Sequence, residues 1–400
     1  MAANDACVET YNLTNETEAS QILTMLQWSG MDKLIITVIV PIICTVGILA
    51  NLAFLFTVAR VRRMQIVTNY YLVNLGVADI VFMTFTMASF LNTYLHSPLR
   101  HNVPYGTSAG CWGNIYPIYL SYYSSVLLVT LVSLERFFVI CMPIKHRLIK
   151  GKARTVKLIA ACWGISVVLA ALSTPRFGLL KQKCFLWPDS EDFAHLPATR
   201  RSCYLISNNL AILAEFIQTI SFVVAMVISC ITYYKLIRTL SQTPALTWSG
   251  SRSTRGRREM RNKKVRNEVA RVLIINGIAF FLCQFPARVI GIDKLIRVIN
   301  GNLQDNYATI FAIASGLLLI NSAINPFIYG LSSRFYKVAF CEAFGIATYL
   351  KMERSASLVT GGSSFTMSQS NDSSLRIHRN VEMTPSANIK GTTAQKNSSS

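Results

Sequence analysis

Apolar residues along this chain gather into seven long runs, near residues 33–59, 69–95, 109–141, 155–174, 208–238, 269–291 and 306–331, with polar and basic stretches between them. Each run is long enough to cross a bilayer as a helix, some with tilt. The third is the longest and organises the rest. From Cys111 to Arg136 it spans roughly 37 Å as a helix, more than a hydrocarbon core of about 30 Å. Its cysteine therefore lies in one interface and the Glu135-Arg136 pair in the other. The pattern predicts an all-α membrane protein, a seven-transmembrane helix bundle. An odd number of crossings puts the two ends of the chain on opposite sides.

The connections differ in charge. Arg60, Arg62 and Arg63 follow the first span, and Lys145, His146, Arg147, Lys150, Lys152, Arg154 and Lys157 follow the third. Arg252 to Arg271 form a dense block ahead of the sixth, and Arg334 and Lys337 follow the seventh. Every second connection is basic, which places that set in the cytoplasm, the N-terminus outside and the C-terminus inside. Residues 1–30 form a polar, acidic segment expected to be an extracellular tail, with glycosylation sequons at Asn12 and Asn15. Its polar, acidic character does not read as a secretory leader, so the first span is expected to act as its own anchor. Residues 31–345 make the membrane domain. Residues 346–400 read as a cytoplasmic tail, and from 352 they are rich in Ser, Thr and Asn and expected to be disordered. Between bundle and tail, SSRFYKVAFCEAF sets Phe335, Val338, Ala339 and Phe344 on one helical face, the pattern of a short amphipathic eighth helix on the inner leaflet. Cys341 there is a candidate for palmitoylation, with a plain interfacial cysteine as the alternative.

Composition supports this partition. Of 400 residues, 52% are hydrophobic and only 14% charged, too few charges to cover a soluble protein of this length. The net charge of +20 comes from Lys and Arg beside the apolar runs, where orientation and anionic membrane lipids account for it. No groove-reading module accompanies it, which argues against nucleic acid. A transporter would want internal repeats or several intramembrane charges. An enzyme would want a His-rich metal cluster or a Ser/His/Asp set at membrane depth. Neither pattern is present.

Polar residues inside the spans carry the chemistry. Asp79 lies about ten residues from the inner end of the second span, near mid-bilayer, where an unpaired carboxylate costs roughly 2.5–3.5 kcal/mol. Ser125 lies about 16 Å along the third span from Arg136, at similar depth, and Asn321, Ser322 and Asn325 offer oxygens from the seventh. Oxygen ligands around one carboxylate suit a small hard cation, with a water-filled polar network as the alternative. Glu135 and Arg136 are expected to pair at the inner face, at a worth of about 0–1 kcal/mol, which suits switching more than holding. Pro286 and Pro326 remove backbone hydrogen bonds within the sixth and seventh spans and leave them bendable. Cys7, Cys111, Cys184 and Cys203 face the oxidising side, where four cysteines allow three pairings.

In order along the chain stand Gly47-Ile48-Leu49-Ala50-Asn51, Asn74-Leu75-Gly76-Val77-Ala78-Asp79, Cys111, Glu135-Arg136-Phe137, Trp163, Phe280, Cys283-Gln284-Phe285-Pro286 and Asn325-Pro326-Phe327-Ile328-Tyr329. With these motifs, residues 31–345 resemble a rhodopsin-like (class A) G-protein-coupled receptor. Three positions depart from the family. Gln284 stands where it has a switch tryptophan, Ala225-Met226 lie where its fifth helix has a proline, and Phe137 replaces tyrosine. The resemblance implies a disulfide from Cys111 to Cys203 or Cys184; Cys203 as partner leaves Cys7 and Cys184 for a second bridge. It implies that the Asp79 ion is sodium, an allosteric ion with no other cofactor. It also implies that Arg136 packs near Tyr234 and Tyr329 in the active state and contacts a heterotrimeric G protein, and that the tail is a target of receptor kinase and arrestin.

The outer half of the bundle is expected to hold the ligand. Tyr119 and Tyr122 from the third span, Glu215 and Gln218 from the fifth, and Gln284 and Arg288 from the sixth form its wall and floor. Glu215 can pair an Arg or amine of the ligand and Arg288 a carboxyl or amide oxygen; pairing with each other is the alternative. Ile118 stands where amine receptors carry aspartate, which argues against a biogenic amine. Charged loops, notably Lys181–Arg201, suit a peptide better than a lipid or other small molecule. Tyr116-Pro117 and Pro175-Arg176-Phe177 are similar to pieces of FMRFamide-type receptors, and the overall pattern to thyrotropin-releasing-hormone and neuromedin-type receptors.

Overall fold

The computed structural model describes residues 7–149, 151–204, 206–242, 254–300 and 308–346. The expected tail of 346–400 therefore lies outside the described residues apart from Ile346, as do Lys150 and Arg252 of the basic connections. Among the described residues, seven helices are long and apolar enough to cross a membrane. They are α2 (Gly30–Arg60), α3 (Val67–His96), α4 (Ser108–Cys141), α6 (Lys152–Ser173), α7 (Asn208–Gln242), α8 (Thr254–Ile299) and α9 (Ala308–Ser332). Most outlast the apolar runs that predict them, because a helix continues into polar sequence until a signal stops it. At the end of α4 that signal is Pro143: Met142 before it leaves the helical region, at φ −131°. A short helix, α5 (Pro143–Ile149), then leads to α6.

α4 is the hub. It packs against α3, α6, α7 and α8, and its inward face from Ser121 to Arg136 is almost continuously buried. Polar side chains tie it to its neighbours: the Tyr123 and Ser173 hydroxyls lie 2.6 Å apart, and Ser133 Oγ donates to Tyr233 Oη at 2.6 Å. Elsewhere Trp163 Nε1 donates to Asn74 Oδ1 at 3.0 Å, joining α6 to α3. Asn51 Nδ2 donates to the Gly47 and Ser322 carbonyls, joining α2 to α9. Outward positions such as Leu49, Leu52, Phe56, Val168, Val224 and Leu282 are exposed and apolar, as lipid-facing positions must be.

Ahead of the first span, the described residues from Cys7 onward carry secondary structure. Glu9–Asn12 form β1 and Glu16–Leu26 form α1. Asn15 caps α1 by accepting the Thr17 N–H at 2.9 Å. β1 runs parallel to β2 (Leu179–Leu186), which pairs antiparallel with β3 (Thr199–Tyr204). Leu13, Ala19, Ile22, Leu23 and Leu26 then pack with Leu99, Phe185, Phe193 and Leu196 into a separate apolar cluster. Ala19, Ile22, Leu23 and Leu26 are spaced i, i+3, i+4, i+7, a stripe that marks this helix in the sequence itself. Disulfides join Cys111 to Cys203 and Cys7 to Cys184. Asn12 and Asn15 are exposed.

The eighth short helix, α10 (Arg334–Ala343), is present with its N-cap at Ser333. Its buried face differs from the one expected. Tyr336, Ala339 and Ala343 are buried with Phe340 beside them, against Phe54 and Tyr329, while Phe344 is exposed. Packing on the bundle, through the Tyr336 hydroxyl donating to Asn69 Oδ1 at 2.9 Å, sets the rotation of this helix rather than the lipid-facing stripe. Cys341 is half-buried.

Close approach of α2 to α9 depends on Gly47. A Cβ there would lie 2.5 Å from Met83 Sδ and 2.7 Å from Ala323 Cβ, whereas one on Gly164 would meet nothing. Gly47→Ala and Gly164→Ala gain the same helix propensity, about 1 kcal/mol, so their difference isolates the clash. Gly47→Ala is expected to unfold at a lower temperature than Gly164→Ala, reflecting an overpacking cost of about 1–3 kcal/mol. Equal thermal midpoints for the two purified variants would show that these helices part freely.

Candidate functional site

Three groups of polar residues lie along the bundle. The first joins α4, α7 and α8 near the sheet. Arg288 donates to Gln218 Oε1 and its guanidinium sits 4.9 Å from the centre of the Tyr122 ring, while Tyr122 Oη donates to the Gln218 carbonyl at 3.4 Å. Among the described residues, the side-chain hydrogen bond of Arg288 goes to Gln218. Glu215 is buried and lies against α8 where Gly291 leaves room: a Cβ on Gly291 would stand 2.0 Å from Glu215 Oε1. Gln284 is buried and Tyr119 half-buried. The six side chains expected to form a ligand site thus come from the same three helices. Gln218 Nε2, Gln284 Oε1 and Arg288 Nε are buried with no hydrogen-bond partner among the described residues. Each such group costs about 1–3 kcal/mol if left dry.

The second group surrounds Asp79, which is 1% exposed. Asn325 Nδ2 donates to its Oδ2 at 2.7 Å, and the Ser322 side chain also hydrogen-bonds to it. Asn321 and Ser125 are buried but contribute none of the hydrogen bonds to Asp79 among the described residues. A carboxylate beside the Ser322 hydroxyl offers hard oxygens, the chemistry a small cation takes.

The third group lies at the opposite end of α4 from Cys111. Glu135 does not pair with Arg136. Its carboxylate meets His146 Nε2 at 3.0 Å and Arg154 Nη1 at 4.0 Å, from α5 and α6. Successive helical residues point about 100° apart, so Glu135 turns to α5 and α6 while Arg136 turns inward. Both are buried, and Arg136 Nε has no hydrogen-bond partner among the described residues. Nor does Tyr234 reach this region. It is 66% exposed, whereas Tyr233 is 7% exposed and bonded to Ser133. The inward tyrosine is therefore Tyr233. Gly277 makes space for it, since a Cβ there would meet the Tyr233 hydroxyl at 1.8 Å. Tyr329 is buried, its ring 5.6 Å from that of Tyr336.

One contact here was not foreseen. Glu268 of α8 accepts from Ser333 Oγ at 2.8 Å and from the Phe335 N–H at 3.3 Å. A carboxylate thereby caps the N-terminus of α10, where the helix dipole favours negative charge. Pro286 and Pro326 lie within continuous helices.

Comparison with known proteins accords with this geometry. The model of the 7 transmembrane receptor (rhodopsin family) matches residues 50–329. Neuromedin-U receptor 2 of Mus musculus is 26% identical over 313 residues, covering 76% of this chain and 74% of that protein. The thyrotropin-releasing hormone receptor of Ovis aries is 28% identical over 357 residues, covering 82% and 83%. The neuromedin U receptor homolog nmur-2 of Caenorhabditis elegans is 26% identical over 364 residues, covering 84% and 86%. A receptor family sets aside the enzyme and transporter readings, and with seven spans, a matching family model and motifs in register, this chain belongs to the rhodopsin family of seven-transmembrane receptors.

Proposed function

We propose that this protein is a plasma-membrane receptor that binds an extracellular peptide, a neuropeptide in class, and activates a heterotrimeric G protein. The observation that carries the ligand site is the convergence of Tyr122, Glu215, Gln218, Gln284 and Arg288 from three helices, with Gln218 Nε2, Gln284 Oε1 and Arg288 Nε buried and without partners among the described residues. Relatives named as receptors for neuromedin U and thyrotropin-releasing hormone support a peptide. The basic connections support an N-terminus outside and a C-terminus inside, as do two disulfides at the sheet end, since disulfides persist in an oxidising compartment.

Tyr119 and Tyr122 would flank the peptide, Glu215 would pair a cationic or amide group on it, and Gln218, Gln284 and Arg288 would meet its carbonyls. Bending of α8 at Pro286 and of α9 at Asn325-Pro326 would then open the inner end, where Arg136, Tyr233 and Tyr329 receive the G protein. Movement of α8 would draw Glu268 away from α10. Asp79 and Ser322, with Ser125, Asn321 and Asn325 nearby, would hold an allosteric sodium ion, which supplies a positive charge favouring the inactive arrangement. Receptor kinase and arrestin would act on the Ser/Thr-rich tail, anionic lipids on the basic connections, palmitate on Cys341 and glycans on Asn12 and Asn15.

Calcium and cyclic-AMP responses of expressing cells to a library of amidated and unamidated neuropeptides test the ligand class. A hit is expected, and Glu215→Gln is expected to weaken it roughly 10- to 150-fold, the worth of one hydrogen bond to a charged group. Silence to every peptide, with the receptor confirmed at the surface, would favour a lipid or small-molecule ligand. Arg136→Ala is expected to keep binding of the hit peptide and lose G-protein activation; unchanged activation would reject the role given to Arg136. Sodium is expected to lower agonist affinity in the wild type and to do so far less in Asp79→Asn, and equal sodium dependence in radioligand competition would remove the ion site.

A further inference from the structure

The extracellular sheet carries a charge pattern that its own packing does not explain. Across the three strands the register sets Glu9, Lys183 and Arg200 side by side. The period of two places Tyr11, Lys181 and Tyr204 on the same face. Lys183 Nζ is satisfied: it donates to Glu9 Oε2 at 2.6 Å and to Tyr11 Oη at 3.2 Å. Lys181 lies 5.9 Å from the Tyr204 ring centre. Arg200 Nε is buried with no hydrogen-bond partner among the described residues. On this face of the strands one carboxylate faces three cations.

Such an arrangement is unfavourable by itself. Like charges directly opposite across a strand pair are destabilising, and Lys183 and Arg200 stand so paired, with Glu9 offsetting only the charge of Lys183. Burial pushes the Arg200 guanidinium down from its ordinary value, while the hydrogen bonds from Lys183 and then Tyr11 hold the Glu9 carboxyl below its own. The strands cannot splay to relieve the repulsion. Cys184 is bonded to Cys7 and Cys203 to Cys111. The outer edge of β3 is fixed as well, with the Arg201 carbonyl accepting the Val103 N–H at 2.8 Å and its N–H donating to Asn102 Oδ1 at 2.9 Å. An anion between Arg200 and Lys181, diagonal neighbours roughly 7–8 Å apart, would relieve it.

We propose that this face of the sheet is an anion-recognition site, at which Arg200 and Lys181 receive an acidic group of the ligand, a carboxylate or a sulfate, beside the Tyr204 ring. Arg200 presents the planar fork that such groups accept in bidentate fashion, and Glu9 on Lys183 shows the mode in miniature within the chain itself. The site rests on the extracellular, ligand-binding reading above and sharpens it. β3 ends at Tyr204, four residues before α7 begins at Asn208, and Glu215 lies two turns, roughly 10 Å, further along that helix.

The test uses the full-length receptor, purified, with sodium sulfate as probe against sodium chloride at matched ionic strength, and follows the thermal midpoint. Sulfate stabilises most proteins by exclusion, and that contribution is common to every variant. A saturable additional rise is expected in the wild type, to about twice the rise in Arg200→Gln and Lys181→Gln. Arg201→Gln, whose guanidinium turns to Gln182 on the other face, is expected to behave as wild type. Equal rises in all four proteins would overturn the proposal; if Arg200→Gln fails to fold, Lys181→Gln carries the comparison. On any peptide hit, replacing an acidic residue by its amide is expected to reduce potency at the wild type and much less at Arg200→Gln, and equal loss at both would also overturn it. A library silent throughout would defeat the peptide reading while leaving the sulfate measurement to decide the site.

Discussion

In hydrocarbon a polar group without a partner has no water to fall back on, and this constraint orders the whole bundle. The helices are apolar enough to insert anywhere; what fixes their neighbours is the small set of polar side chains that must find one another. Asn51 reaches the Ser322 carbonyl, Trp163 reaches Asn74, Tyr123 meets Ser173, Ser133 meets Tyr233, and Asn325 meets Asp79. Each bond crosses between helices, so each specifies a pairing that dispersion between similar apolar faces would leave open. Against that background the unmet groups are informative. Among the described residues these include Gln218 Nε2, Gln284 Oε1 and Arg288 Nε, where a ligand is proposed to enter, and Arg136 Nε and Tyr329 Oη, where a G protein is proposed to dock.

α8 connects the two regions. It carries Gln284 and Arg288 on either side of Pro286 and, five turns away, the carboxylate that caps α10. Helical rigidity between these points means that a shift at the proline changes the angle at Glu268. Two glycines allow this helix to lie so close to α7: Gly291 admits Glu215, and Gly277 admits the Tyr233 hydroxyl. Both contacts place a polar side chain against bare backbone, which holds position without interlocking side chains.

The spans were legible because length and apolarity decide membrane crossing without any knowledge of neighbours. The choice between Tyr233 and Tyr234 was not, because α7 is apolar around much of its circumference and its sequence does not fix which adjacent tyrosine turns inward. Glu135 was misassigned for a related reason. Its partners His146 and Arg154 come from two other helices, and adjacency in sequence to Arg136 says little about adjacency in space. The folded N-terminus was readable in part: the stripe of Ala19, Ile22, Leu23 and Leu26 was there to be seen, but parallel pairing of β1 with a strand some 170 residues away depends on a disulfide whose pairing sequence leaves open.

The two disulfides are interlaced, since Cys111 lies inside the loop closed by Cys7 and Cys184 while its partner Cys203 lies outside it. A single backbone cut anywhere from residue 8 to residue 202 therefore falls within at least one closed ring. A protease that nicks any connection among the first four membrane helices, or the connection to the fifth as far as Cys203, leaves the pieces covalently joined, and the severed receptor separates only after reduction.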